Sequence, residues 1–177
     1  MAYLGKMKGA SSSPPRASLY EVFWSWLGSF LGIAAVALVH FRVLSGTDLL
    51  FVIGSFGASA VLIYGAIQSP LAQPRNLLGG HIISATIGVS CFQVLGGGAL
   101  SAALAVSIAI AVMHLTKTLH PPGGATALIA VTGGKDVYSL GYLFVLVPTG
   151  TGALLMLLVA LLVNNIPQKR YYPEFWI

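Results

Sequence analysis

The chemistry-bearing residues of this chain are few, and the densest group surrounds one stretch, His120-Pro121-Pro122-Gly123-Gly124-Ala125-Thr126. Two consecutive prolines fit the opening of a helix, where a missing N–H costs no hydrogen bond. A helix that starts there turns its first-turn N–H groups and the positive end of its dipole toward whatever lies ahead, which is how helices hold anions. Gly123 and Gly124 let that backbone come close to a small ion. A second small-residue run, Ser55-Phe56-Gly57-Ala58-Ser59, aligns with it at an offset of 67 residues. Ser55, Ser59 and Thr126 add hydroxyl donors. In an inverted pair the two helix starts would point at each other near the membrane midplane. The competing reading of both runs is a kink with glycines for close helix packing.

Other polar groups gather on either side. His114, Lys117 and His120 recur every three residues, so a helix continuing to the Pro-Pro break would set them on one face. Lys117 is either a site residue or a lysine snorkelling to the interface. His120 either caps the broken helix, carries a proton beside a transported ion, or simply packs. Arg75 and Asn76 follow the connector Ser69–Pro74, where Arg75 either draws anions or anchors the positive side. His81 lies about one helical turn beyond them and would face the same cavity. The only acids are Glu21, Asp48, Asp136 and Glu174, all near the ends of apolar runs. There are no paired carboxylates, no Ser-His-Asp set, no phosphate-cradling loop and no cysteine partner for Cys91. We therefore expect no enzyme activity, no metal and no cofactor, and the shortage of carboxylates argues against a divalent cation as cargo.

What must position these groups is set by composition. Of 177 residues, 56% are hydrophobic and only 7% charged, nine Lys or Arg against four Asp or Glu. An ordinary soluble protein carries about 25% charged residues, so this chain cannot cover itself in water and is an integral membrane protein in a lipid bilayer. The basic residues are scattered between apolar runs, which speaks for topology rather than a nucleic acid partner. We expect an all-α bundle of about six transmembrane segments at 19–41, 49–68, 78–95, 98–116, 121–134 and 139–163. Residues 1–18 form a polar cytosolic tail, 19–163 a single transmembrane domain and 164–177 an interfacial tail. The 67-residue offset suggests two inverted three-segment repeats, 19–95 and 98–163, with broken or half helices at 49–68 and 121–134. Six crossings put Lys6, Lys8, Arg16, Arg75, Lys117, Lys169 and Arg170 on one side and only Arg42 and Lys135 on the other, so both termini are expected in the cytoplasm. So thin a bundle, rich in glycine and alanine, is expected to form a homo-oligomer.

The run His120-Pro121-Pro122-Gly123-Gly124-Ala125-Thr126-Ala127 resembles the motif of the HPP family of small integral membrane proteins. The likeness extends to Ser69-Pro70-Leu71-Ala72-Gln73-Pro74-Arg75-Asn76, Gly79-Gly80-His81, Asn164-Asn165 and Tyr171-Tyr172-Pro173, nearly the whole chain. The resemblance implies transport of nitrite, as in plastid and cyanobacterial relatives. A small monovalent anion agrees with the helix-start reading. A bacterial inner membrane, cyanobacterial membranes included, is the expected location, with the plastid inner envelope as the alternative. The other functions kept open are a channel for a small neutral solute and a non-transporting regulatory subunit.

Overall fold

In the computed structural model, which describes residues 3–8, 11–47 and 51–177, regular structure is entirely helical. Helix α1, Leu19–Leu38, is capped by Ser18, whose hydroxyl accepts the Glu21 N–H. It runs on through a wider turn to Val43. Then come α2 (Gly54–Gly65), α3 (Pro74–Leu95), α4 (Ala99–Leu115), α5 (Pro121–Thr132), the short α6 (Lys135–Tyr138) and α7 (Thr151–Val163). Proline opens α3 and α5, where its fixed φ suits a first turn. Gly96 at φ 72° and Gly98 at φ 141° make the sharp turn between α3 and α4. Pro148 interrupts the approach to α7, and Val147 there has left the helical region.

Each of the six expected apolar segments is helical, but they are not equals. Among the described residues, three stretches are long and apolar enough to cross a bilayer, Leu19–Val43, Pro74–Leu95 and Val145–Val163. The segment expected over 49–68 is the shorter helix 54–65, and residues 49 and 50 lie outside the described residues. Both α2 and α5 contain 12 residues. At 1.5 Å per residue each is about 18 Å long, too short for a hydrocarbon core of about 30 Å.

Their arrangement answers that shortfall. Ser55 at the start of α2 lies beside Thr126 in the middle of α5, while Ser59 in the middle of α2 lies beside His120 at the start of α5. The two half helices therefore run antiparallel, side by side, and their starts do not point at each other as expected. From the end of one to the end of the other they reach about 24 Å. The packing pairs are α1 with α2 and α7, α4 with α5 and α3, α3 with α5, α2 with α7, α2 with α5, and α3 with α7. Exchanging α1, α2 and α3 for α4, α5 and α7 maps each of these pairs onto another of them, except α2 with α5 and α3 with α7, which map onto themselves.

Close approach is bought with glycine. A Cβ on Gly88 of α3 would sit 2.6 Å from the Ala127 carbonyl oxygen of α5, and one on Gly123 would sit 2.8 Å from that of Gly80. Tyr64 fills the notch left by Gly28 and Gly32 on α1 and donates its hydroxyl to the Met156 carbonyl at 3.1 Å, tying α1, α2 and α7 together. The last carbonyls of α2 end inside the protein, where helix ends need partners. The Asn164 amide donates to Ile63 O, Arg170 to Tyr64 O and the Gln73 amide to Ile67 O. The ion pair of Glu21 with Arg170 puts the start of α1 and the carboxy-terminal tail at one end of the bundle.

Candidate functional site: a buried histidine relay

Where α2 and α5 overlap, a continuous hydrogen-bonded chain runs through the core. His120 comes just ahead of α5, held in extended backbone by the proline that follows it. Its Nδ1 lies 2.8 Å from the Leu71 carbonyl in the α2–α3 connector. Its Nε2 lies 2.9 Å from Ser59 Oγ on α2. Ser59 Oγ is 2.7 Å from His81 Nε2 on α3, and His81 Nδ1 is 2.8 Å from Thr126 Oγ1 on α5. Thr126 Oγ1 also lies 2.9 Å from Ser55 Oγ and 3.2 Å from the Pro122 carbonyl. The rings of His81 and His120 have centroids 5.1 Å apart. His81, His120, Ser59 and Thr126 are wholly buried and Ser55 nearly so. A Cβ on Gly80 would lie 2.5 Å from His120 Cβ, so glycine there admits the ring.

The partners dictate the protons. Leu71 O only accepts, so His120 Nδ1 carries hydrogen. In the neutral chain Ser59 then donates to His120 Nε2, His81 Nε2–H donates to Ser59 and Thr126 donates to His81 Nδ1. These hydrogens all point toward Leu71. If one proton is added, His81 donates from both nitrogens and Thr126 turns its own hydrogen to Ser55 or Pro122 O. When His81 Nε2 gives its proton to Ser59 Oγ and Ser59 gives its own to His120 Nε2, that positive charge moves to His120, and the two bonds through Ser59 are again filled. The network thus accepts one proton and passes it between two imidazoles while all four ring nitrogens stay hydrogen-bonded, the condition that makes buried imidazoles tolerable.

Several candidate residues fall elsewhere. α4 ends at Leu115 and Lys117 sits at φ 56°, so His114, Lys117 and His120 share no face; the first two are exposed and only His120 is buried. Arg75 donates to Thr116 O at 2.6 Å and Asn76 to Leu119 O at 2.8 Å, pinning the loop that delivers His120. His81, one turn on, joins the relay instead of a cavity beside Arg75. Gly57 faces open space away from the relay, and Gly124 turns toward Val106 of α4. The α5 start also differs from expectation. Pro121 and Pro122 have no N–H, and Gly123 N–H is taken by His120 O at 2.8 Å. The first three positions of α5 therefore offer an ion no free backbone donor, and any anion here must be held by side chains. The Leu71 carbonyl went unnoticed in the sequence because a backbone acceptor has no residue-type signal.

Among the described residues no three His, Cys, Asp or Glu side chains converge as a metal site would need. The fold and the site together define an all-α membrane protein with two wholly buried histidines where two half helices cross in its core. Comparison with known proteins gives it a family: residues 14–173 match the transmembrane region of the HPP proteins, and the chain belongs to that family. It is similar to two transmembrane proteins of Dictyostelium discoideum, 52% identical over 98% of this chain and 57% of the relative, and 48% identical over 95% of this chain and 60% of the relative. The chain thus spans about three fifths of the length of these curated relatives. No solved structure matches it.

Proposed function

We propose that this protein is a membrane carrier for a small monovalent anion, nitrite in the reading the family resemblance suggests, which crosses together with a proton. The observation that carries the reading is the Leu71–His120–Ser59–His81–Thr126 relay. Ionisable side chains inside a membrane are costly and mark transport paths and proton relays. This pair also lies between antiparallel half helices, a usual place for cargo in carriers built from repeats. Nitrite and a proton together make neutral nitrous acid, so one imidazolium matches one anion in charge. In the state described the relay bonds only to itself. As α2 and α5 part, Ser55, Ser59, Thr126 and the charged imidazole become free donors for the anion, replacing the backbone N–H groups that α5 lacks. We place the end bearing Arg75, Lys117, Lys169 and Arg170 in the cytoplasm by the excess of positive charge there.

The test is uptake of nitrite into liposomes holding the purified protein, driven by an imposed pH gradient. Uptake that follows the pH gradient, ignores membrane potential and disappears in His81→Gln and His120→Gln supports the carrier. Flux of a neutral solute with no nitrite uptake would replace it with a solute channel. No flux under any gradient would put the regulatory-subunit reading in its place.

A further inference from the structure

A second polar feature lies outside the relay, at the end of the bundle where the start of α1, the end of α2 and the carboxy-terminal tail meet. A cleft of about 490 Å³ opens there, lined by Glu21, Gln68, Ser69, Lys169 and Arg170 among others. This is within the range of small-molecule sites, about 300–1,000 Å³. The Arg170 side chain is only 2% exposed. Its Nη2 donates to Tyr64 O at 2.7 Å and lies 3.2 Å from Asn164 Oδ1, but Nε and Nη1 have no acceptor. Glu21 Oε2 stands 3.8 Å from Nε, near enough to feel the charge and too far to take the hydrogen. Glu21 itself is 41% exposed and free to swing away. Burial lowers the pKa of the guanidinium from its ordinary value and Glu21 opposes that shift; arginine keeps its charge regardless. A buried charge that leaves three of its five N–H bonds unused is expensive, and such a group calls for a partner.

We propose that this cleft binds an oxyanion, a carboxylate or phosphate group seated on Nε and Nη1 of Arg170 with Lys169 as the second cation. Glu21 is the resident carboxylate that an incoming anion displaces. Capping α2 accounts for Nη2 alone; the bound oxygen completes the rest of the fork. The site stands whether or not the protein carries anions, because it rests on Arg170 and not on the relay. The same chemistry is offered by a free anion and by a lipid headgroup, and the experiment separates these sources.

The full chain in neutral detergent is titrated at constant ionic strength with sodium phosphate, sodium acetate and dihexanoyl phosphatidic acid, with sodium chloride as control. Tryptophan emission and thermal unfolding report binding, since Trp24 and Trp26 lie within two turns of Glu21. Wild type is expected to give a saturable response to at least one probe. Glu21→Gln, which removes the competing carboxylate, should tighten it about fivefold, the scale of one exposed charge, and Lys169→Gln should weaken it. Saturation by phosphate or acetate identifies a soluble anion, and saturation by phosphatidic acid alone identifies a headgroup. Arg170→Gln should abolish binding but also uncaps α2, so Glu21→Gln is the deciding variant. If neither wild type nor Glu21→Gln responds to any probe beyond the chloride control, Arg170 is a helix cap only and the proposal falls.

Discussion

Ser59 is the hinge of the relay, and replacing it with alanine tests the reasoning at its narrowest point. The hydroxyl is the only group between the facing Nε2 atoms of His81 and His120, at 2.7 and 2.9 Å. Alanine removes one oxygen and leaves the backbone of α2 as it was. Two good bonds vanish, worth about 1 kcal/mol each, and two buried ring nitrogens lose their partner, each costing about 1–3 kcal/mol if left unpaired. The rings can recover part of this by bonding to each other, since their centroids are only 5.1 Å apart. We therefore expect Ser59→Ala to cost about 2–4 kcal/mol, read from reversible unfolding in detergent. A cycle of Ser59→Ala with His81→Gln should be non-additive by more than 0.5 kcal/mol, as contacting residues are. In liposomes the same variant should lose pH-driven nitrite uptake even when folded, because no hydroxyl remains to pass the proton. A change below about 0.5 kcal/mol with unaltered uptake would refute the relay as a functional unit.

Gly88→Ala drives a methyl to 2.6 Å from the Ala127 carbonyl and should cost at least about 1–3 kcal/mol in thermal unfolding, whereas Gly57→Ala, with nothing near, should be neutral or stabilising by up to about 1 kcal/mol. His114→Ala and Lys117→Gly should leave nitrite uptake unchanged, and the glycine should raise stability by about 1 kcal/mol because it relieves φ 56°; loss of uptake in either would restore them to the site. Tyr172 is buried and donates to Ala72 O at 2.7 Å, and burial raises its pKa. Its contribution is whole below the unfolded value of about 10 and is lost as pH rises beyond it, so wild-type stability measured from pH 9 to 11.5 should fall more steeply than that of Tyr172→Phe.

The membrane character and the six helical segments were legible because apolar length is a property of sequence alone. So was the pair of half helices. The Gly57–Gly124 offset of 67 residues is also the separation of the starts of α2 and α5, Gly54 and Pro121. Four of the five hydroxyl and imidazole groups of the relay, Ser55, Ser59, Thr126 and His120, were picked out by their place on those two segments. His81 was picked for the wrong neighbours. A helical-wheel argument links it to Arg75 on its own helix, but its partners come from α2 and α5, which no local pattern on α3 can show. His114 and Lys117 share no face with His120, because a three-residue spacing means a shared face only while the helix lasts, and α4 stops at Leu115. Arg170 was counted as a surface charge, since nothing in a Lys-Arg pair beside a tyrosine tail tells that its fork is buried under the end of α2.

The 67-residue offset also shows what sets the two halves apart. It carries Ser59 onto Thr126 and Ser55 onto Pro122, so the crossing point has similar small groups from both helices. The histidines have no such counterparts: His81 falls on Pro148 and His120 on Ile53 read backward. The scaffold is close to two-fold while its titratable groups are not. In the neutral chain the protons of Thr126, His81, Ser59 and His120 point toward Leu71, in the connector whose Ser69 lines a cleft with Lys169 and Arg170. A symmetric crossing would give a proton equal reasons to leave either way. The one-sided placement of His120 against the α2–α3 connector gives the relay a direction, and movement of that connector is what would release its last proton. Holding the connector still is therefore a stricter block than deleting either hydroxyl at the Ser55 end. A disulfide-free clamp is already present in the Gln73 amide, which donates at 2.8 Å to both Ile67 O and Ser69 O. Gln73→Ala should loosen the connector and raise proton leak in liposomes before it changes nitrite affinity, and an unchanged leak would show that direction is set elsewhere.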